Sequence, residues 1–189
     1  FCFQQYGIRP DVVTMAKGLG GGVPIGAVLA AESCSNVLTP GTHATTFGGT
    51  PLVCAAANAV LDTVGDGQFL AQVKEKGEYL KNGILSIGSP NILGVRGIGL
   101  MLGIIVEDGK HTAYANRLIE KGVLALTAGK NAVRLLPPLI LTPDDVDRAV
   151  QILAETLAEI PPEEPETPAG PAAPDVPAPE TAPADAPNA

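Results

Sequence analysis

No helix passes through residues 17–24. Lys17-Gly-Leu-Gly-Gly-Gly-Val-Pro24 places four glycines and a proline in eight positions, and each is strongly disfavoured in a helix interior. Short apolar runs flank it, Asp11–Ala16 behind Pro10 and Gly26–Ala31 after it. The pattern predicts strand, glycine loop, strand. Lys17 then stands at the end of a rigid strand, beside a backbone that a ligand can approach closely. Desolvation there would favour the neutral amine, the form an imine-forming lysine needs. A surface lysine closing a hairpin is the alternative from spacing alone.

Downstream the periodicity turns helical. Thr50-Pro51 predicts an N-cap and first turn, with an Ala-rich helix over Leu52–Val64 stopped by Gly65. Asp66 caps a second helix that carries Phe69, Leu70, Val73 and Leu80 and ends near Asn82-Gly83. Leu93–Val106 contains Arg96-Gly-Ile-Gly99 and then a buried-strand run to Val106. A helix over Thr112–Lys121 and strands over Val123–Thr127 and Ala132–Leu136 follow. Thr142-Pro143-Asp144-Asp145 opens a last helix to about Glu159, with acids at its positive end.

From Pro161 the composition breaks. Residues 161–189 hold ten of the 18 prolines, six of the 20 acidic residues and no Lys or Arg. Such text favours extended, solvated chain, and a disordered tail is expected. Residues 1–160 are left with 12 basic against 14 acidic residues, so the net charge of −8 belongs mostly to the tail. That near-neutral body offers no field for nucleic acid or an anionic membrane surface. Its longest uncharged apolar stretches, near Val23–Ala31 and Ile98–Val106, reach about half of a bilayer-spanning helix.

Cys2, Cys34 and Cys54 are widely spaced and form no CxxC pair. This argues against a disulfide framework or a zinc site and fits a reducing cytoplasm. The chain begins at Phe1 with neither an initiator Met nor a signal-peptide pattern, and it reads as cut from a longer protein.

The glycines do not make a nucleotide fingerprint. Gly18-x-Gly20 would need glycine where Val23 stands, and Gly97-x-Gly99 would need one where Leu102 stands; no GxxxxGK[ST] occurs. Two further places suit anions. Thr42-His-Ala-Thr-Thr-Phe-Gly-Gly-Thr-Pro51 packs hydroxyls and amides ahead of a helix N-terminus, which suits a phosphate. Capping by Thr50 alone is the simpler use of that loop, with Thr45 and Thr46 surplus to it. Arg134 lies in the apolar strand Ala132-Val-Arg-Leu-Leu136, where it needs a buried acid or a substrate carboxylate as partner. His43 and His111 are expected to be satisfied or surface histidines, and Arg96 to support its loop.

At these places the chain resembles the class III pyridoxal-phosphate aminotransferases, most of all the branch acting on N-acetylornithine. The resemblance rests on Pro10–Ala27, His43–Pro51, Val95–Gly103 and Val133–Leu139, four motifs in the family's order. It covers residues 1 to about 160. One departure is Thr50, where the family usually carries Asn.

The resemblance implies an α/β fold of the fold-type I pyridoxal-phosphate transferases. Residues 1–75 would end the large domain, 76–160 would form the small C-terminal α+β domain, and 161–189 the tail. Lys17 would bind pyridoxal 5'-phosphate covalently and move a proton between substrate and cofactor carbons. Thr46 would hold the cofactor phosphate of a neighbouring subunit in a homodimer. Thr45 would lie against the substrate and Arg134 would clamp its carboxylate.

The implied reaction is transfer of an ω-amino group from N-acetylornithine to 2-oxoglutarate, in arginine biosynthesis. Ornithine, succinylornithine, 4-aminobutyrate or acetyl-lysine are the alternative donors. In the family, the phosphate-cradling loop, the stacking aromatic and the Asp at the pyridine nitrogen all precede the text of Phe1. The chain alone is therefore expected to be inactive, and a non-catalytic fragment able only to associate with a partner chain is the alternative.

Overall fold

The computed structural model describes residues 1–160; the disorder expected of residues 161–189 lies outside them. A short helix α1 (Cys2–Gln5) leads to strands β1 (Val12–Met15) and β2 (Ala27–Ala30). These form a two-stranded antiparallel sheet with Val12 opposite Ala30 and Met15 opposite Ala27. Between them the glycine loop opens as a 3-10 turn, Lys17–Gly20. Strand, glycine loop, strand is thus the arrangement found.

Helices α2 (Pro51–Val64) and α3 (Gly67–Ser86) follow. Next come β3 (Gly94–Ile98), β4 (Met101–Ile105), α4 (His111–Glu120), β5 (Leu126–Ala128), β6 (Ala132–Leu135) and α5 (Pro143–Glu159). The four strands form an antiparallel sheet in the order β3-β4-β6-β5. Side chains alternate across it. Leu102, Ile104, Val133 and Leu135 face the helices and join Leu80, Ile84, Tyr114, Leu118, Val146, Leu153 and Leu157 in one buried cluster.

The run Leu93–Val106 is two strands rather than one, folded back at Gly99-Leu100. Helix α3 continues past Asn82-Gly83, where a stop was expected. Gly83 serves helix packing instead: a Cβ there would lie 2.9 Å from Val150 Cγ2 of α5. Gly77, one and a half turns earlier, is buried against the β3–β4 turn, and a Cβ there would collide with the backbone of Gly99. Both glycines let α3 approach its neighbours closely, and those contacts offset their poor helix propensity. The strand expected over 123–127 is shorter and later, because Val123 still closes the end of α4 through its amide to Leu118 O, 2.8 Å.

Buried polar side chains at the end of α5 are matched. Asn91 Nδ2 donates to Leu157 O and Ile160 O, both at 3.0 Å, and the Tyr114 hydroxyl donates to Ile160 O at 3.3 Å. Carbonyls left over at the end of α5 are thereby satisfied. No helix among the described residues is long and apolar enough to cross a membrane.

Candidate active site

Lys17 follows β1 after Ala16 and is the only non-glycine among the described residues with positive φ, at 55°. For a residue with a Cβ this left-handed backbone costs about 1–2 kcal/mol. Such strain persists only where surrounding structure enforces it, and it concentrates at functional positions. Gly20, the sole buried residue of the first fifty, anchors the turn. The Lys17 side chain is exposed. Its expected desolvation is therefore not supplied by the described residues around it.

The threonine loop lies ahead of α2. Pro24, Ile25 and Gly26, just ahead of β2, face Thr45, Phe47 and Gly48 across an open concavity of about 360 Å³. Thr45 Oγ1 accepts a hydrogen bond from Gly48 N at 3.2 Å, which braces the loop. Thr46 is exposed and makes no side-chain hydrogen bond among the described residues. Thr50 occupies the N-cap position of α2 but its side chain makes no capping bond. Thr42 Oγ1 donates to Thr39 O at 2.7 Å, so Thr46 and Thr50 carry the hydroxyls of this loop left without a partner among the described residues.

Arg134 sits in β6 opposite Gly103 of β4 and Leu126 of β5. This places it on the face of the sheet turned away from the helices. Its Nε is buried without a hydrogen-bond partner. No acidic side chain pairs with it among the described residues. The internal salt bridge that an arginine in an apolar strand requires is absent there, and an external carboxylate is the partner this geometry invites.

One histidine meets expectation, while the other and one arginine differ from it. His43 is exposed, whereas His111 at the start of α4 buries Nδ1 without a partner. Arg96 does not merely brace a loop: it is a strand residue of β3, paired with Gly103, on the same sheet face as Arg134. Strand register brings these residues together, and no local signal in the sequence specifies that register.

Comparison with known proteins agrees with this arrangement. The family Aminotransferase class-III matches residues 1–157. The acetylornithine aminotransferase of Caldanaerobacter subterraneus subsp. tengcongensis is 43% identical over 162 residues, covering 85% of this chain and 41% of that protein. The Bacillus subtilis acetylornithine aminotransferase is 43% identical over 159 residues, covering 84% and 41%. This chain therefore spans about two fifths of the length of the relatives it matches.

Among solved structures, the acetylornithine aminotransferase of Elizabethkingia anophelis superposes with a TM-score of 0.74 at 33% identity, covering 84% of this chain and 43% of that one. The Toxoplasma gondii ornithine aminotransferase, described with partial occupancy of PLP at its active site, gives 0.71 at 28% identity, covering 80% and 37%. With the family matched over nearly all of the described residues, and with lysine, threonine loop and arginine in their expected elements, the chain belongs to the class III aminotransferases, the pyridoxal-phosphate-dependent transferases of α/β fold.

Proposed function

We propose that a protein containing this chain transfers the ω-amino group of N-acetylornithine to 2-oxoglutarate, within a homodimer. The observation that carries this reading is Lys17. An exposed primary amine at a strand end, held in a strained backbone in front of glycines, is built to present Nζ at a fixed point. The similarity to acetylornithine aminotransferases supports the choice of donor.

The residues present fit pyridoxal 5'-phosphate. An amine, a free threonine hydroxyl and open backbone at Gly18 and Gly22, where an added Cβ would meet nothing within 4 Å, are the donor set and the space it needs. When bound, that cofactor supplies the electron sink that stabilises negative charge on the substrate carbon. Lys17 would hold it through Nζ and, once displaced by the incoming amine, carry the proton that leaves and returns to the substrate. Thr46 would bind its phosphate from the neighbouring subunit, and the braced Thr45 would border the substrate. Arg134 would orient the substrate carboxylate, which both the donor and the acceptor carry.

We also propose that residues 1–75 complete a larger cofactor-binding domain and that 76–160 form a small α+β domain. The placement of the whole buried cluster between Leu80 and Leu157 supports that division. Alone, the 189-residue chain is expected to turn over no substrate.

The test joins the chain to the preceding segment of an acetylornithine aminotransferase relative, adds pyridoxal phosphate and reduces with borohydride. Peptide mass mapping should find the cofactor on Lys17. Lys17→Ala should abolish the adduct and lower kcat by at least about 10³-fold. Arg134→Ala should keep the adduct and raise KM for carboxylate substrates. A label on another lysine overturns the assignment. An amine panel of ornithine, succinylornithine, 4-aminobutyrate and acetyl-lysine tests the donor.

A further inference from the structure

Helix α5 ends at a fixed point. The backbone turns extended at Ile160, and the carbonyl of that residue accepts from Asn91 Nδ2 at 3.0 Å and from the Tyr114 hydroxyl at 3.3 Å. Asn91 stands two residues ahead of Leu93, whose amide donates to Ile105 O at 2.8 Å and opens the pairing of β3 with β4. The chain beyond Ile160 therefore starts beside the entrance to β3, an edge of the four-stranded sheet.

Around that edge lies the face of the sheet that the helices leave open. Arg96 and Ile98 alternate on β3, and their partners on β4 are Gly103 and Met101. Directly opposed residues share a face, and Arg96, Ile98 and Met101 are all exposed on this one. The arm of Arg96 rests on the face rather than projecting past the edge: its Cγ and Nε lie 3.6 Å and 3.7 Å from where a Cβ on Gly103 would be. No acidic side chain pairs with Arg96 among the described residues. Arg117 and Lys121, the cations at the end of α5, already hold Glu120, Glu155 and Glu159.

The complementary charge is in residues 161–189, with six acids and no Lys or Arg. Three of those acids, Glu163, Glu164 and Glu166, fall within six residues of Ile160. At roughly 3.1 Å per residue of proline-rich chain, six residues span about 19 Å, nearly twice the roughly 10 Å between packed layers. Ten prolines without an N–H also make this segment a poor further strand. It can cover an edge that would otherwise pair with another chain.

We propose that the segment following Ile160 folds back around β3 and docks on the open sheet face. The carboxylates of Glu163, Glu164 and Glu166 answer Arg96, and the neighbouring prolines lie on Ile98 and Met101. The acidic segment is then a cover built into the chain, which shields an open edge and an apolar face from association. This stands apart from the aminotransferase reading, because the adduct at Lys17 involves none of these residues.

The test uses the full 189-residue chain at pH 7 and low salt. ¹⁵N NMR follows the Nε–H of Arg96, and NOEs are measured from the Met101 methyl group to residues 161–168. Glu163→Gln, Glu164→Gln and Glu166→Gln combined should speed Nε–H exchange at Arg96 about threefold, the size of an exposed ion pair, and weaken the NOEs. Asp175→Asn, Glu180→Gln and Asp185→Asn combined remove the same charge farther along and should leave both readouts unchanged. Arg96→Gln should weaken the NOEs as the first triple variant does, and Arg96→Lys should keep part of them.

An Arg96 signal that the first triple variant leaves unchanged overturns the docking. Equal responses to the two triple variants overturn it as well, since they mean diffuse charge attraction. NOEs that fade on dilution mean that a second copy covers this face instead, and that result also overturns it.

Discussion

Residues 1–50 and residues 80–160 use their apolar side chains in opposite ways. In the first region only Gly20 is buried, and Val12, Val28, Leu29, Val37 and Phe47 are exposed, Phe47 by 84%. In the second, Ile84, Leu102, Ile104, Leu118 and Val133 are all at or below 2%. Yet Lys17, Thr45 and Thr46 lie in the first region, while Arg134 stands on the sheet of the second. The amine and hydroxyls are thus carried by a segment that buries little of its own, and the proposed carboxylate clamp by a finished core. The chain spans about two fifths of its relatives, and the apolar side chains left bare around the glycine loop form the kind of surface that further protein covers.

Core truncation should expose this contrast most strongly. Ile84→Ala removes a fully buried side chain at the meeting of α3 with the sheet and α5, and it should cost about 2–5 kcal/mol. Leu29→Ala, at a residue of β2 that is 57% exposed, should stay within about 0.5 kcal/mol. Urea denaturation of both variants of this chain checks the pair. Equal losses would mean that the glycine-loop region has a packed core of its own.

The next effect concerns two helix starts that look alike in the sequence, Thr50-Pro51 and Thr142-Pro143. Both threonines occupy the N-cap with extended backbone. Only Thr142 caps: its Oγ1 accepts from Asp145 N at 3.2 Å, and Asp145 Oδ2 accepts from Thr142 N at 3.0 Å. The reason is the third helical position, Asp145 in α5 and Val53 in α2, since only a polar side chain can return the bond. Thr142→Ala should therefore cost about 1 kcal/mol, and Thr50→Ala close to nothing. A cost at Thr50 as large as at Thr142 would contradict the geometry.

That pair shows where the sequence is sufficient. Local rules place the strand ends at the glycine loop, the start of α5 and the lysine between them, because each depends on residues within a few positions. Where contacts are distant the same rules fail. Asn82-Gly83 carries the signature of a helix end, but Val150 of α5 needs the space at Gly83, so α3 runs on to Ser86. Arg96 reads as a loop support until the pairing of β3 with β4 and of β4 with β6 places it beside Arg134. Nothing near Asn91 in the sequence announces that its amide closes the end of α5 almost seventy residues away. Register and helix packing are properties of the assembled sheet, and a single sequence carries no local record of them.

The smallest effect lies on the surface of the packed region, where α4 and α5 are clasped by charge. Glu159 accepts from Arg117 Nε at 2.6 Å and pairs with Lys121 Nζ at 2.7 Å. Those hydrogen bonds, Arg117 first and Lys121 second, hold its carboxyl down to about 2 from an ordinary 4.5. A depressed carboxylate stabilises the fold above its unfolded value and loses that contribution as pH falls through the folded one. The clasp should thus be fully present at neutral pH, weaken below 4.5 and vanish below about 2. Because the group is exposed, solvent and salt screen it, and the effect should shrink further in 1 M salt. The melting temperature of the chain minus that of Glu159→Gln, followed from pH 7 to pH 2, isolates this carboxylate from the others that protonate in acid. The difference should be positive at pH 7 and close to zero at pH 2, while amide exchange of residues 12–30 should be the same in both proteins. A difference that grows as pH falls would mean that Glu159 repels more than it binds, and that α4 and α5 are held by Leu118, Leu153 and Leu157 alone.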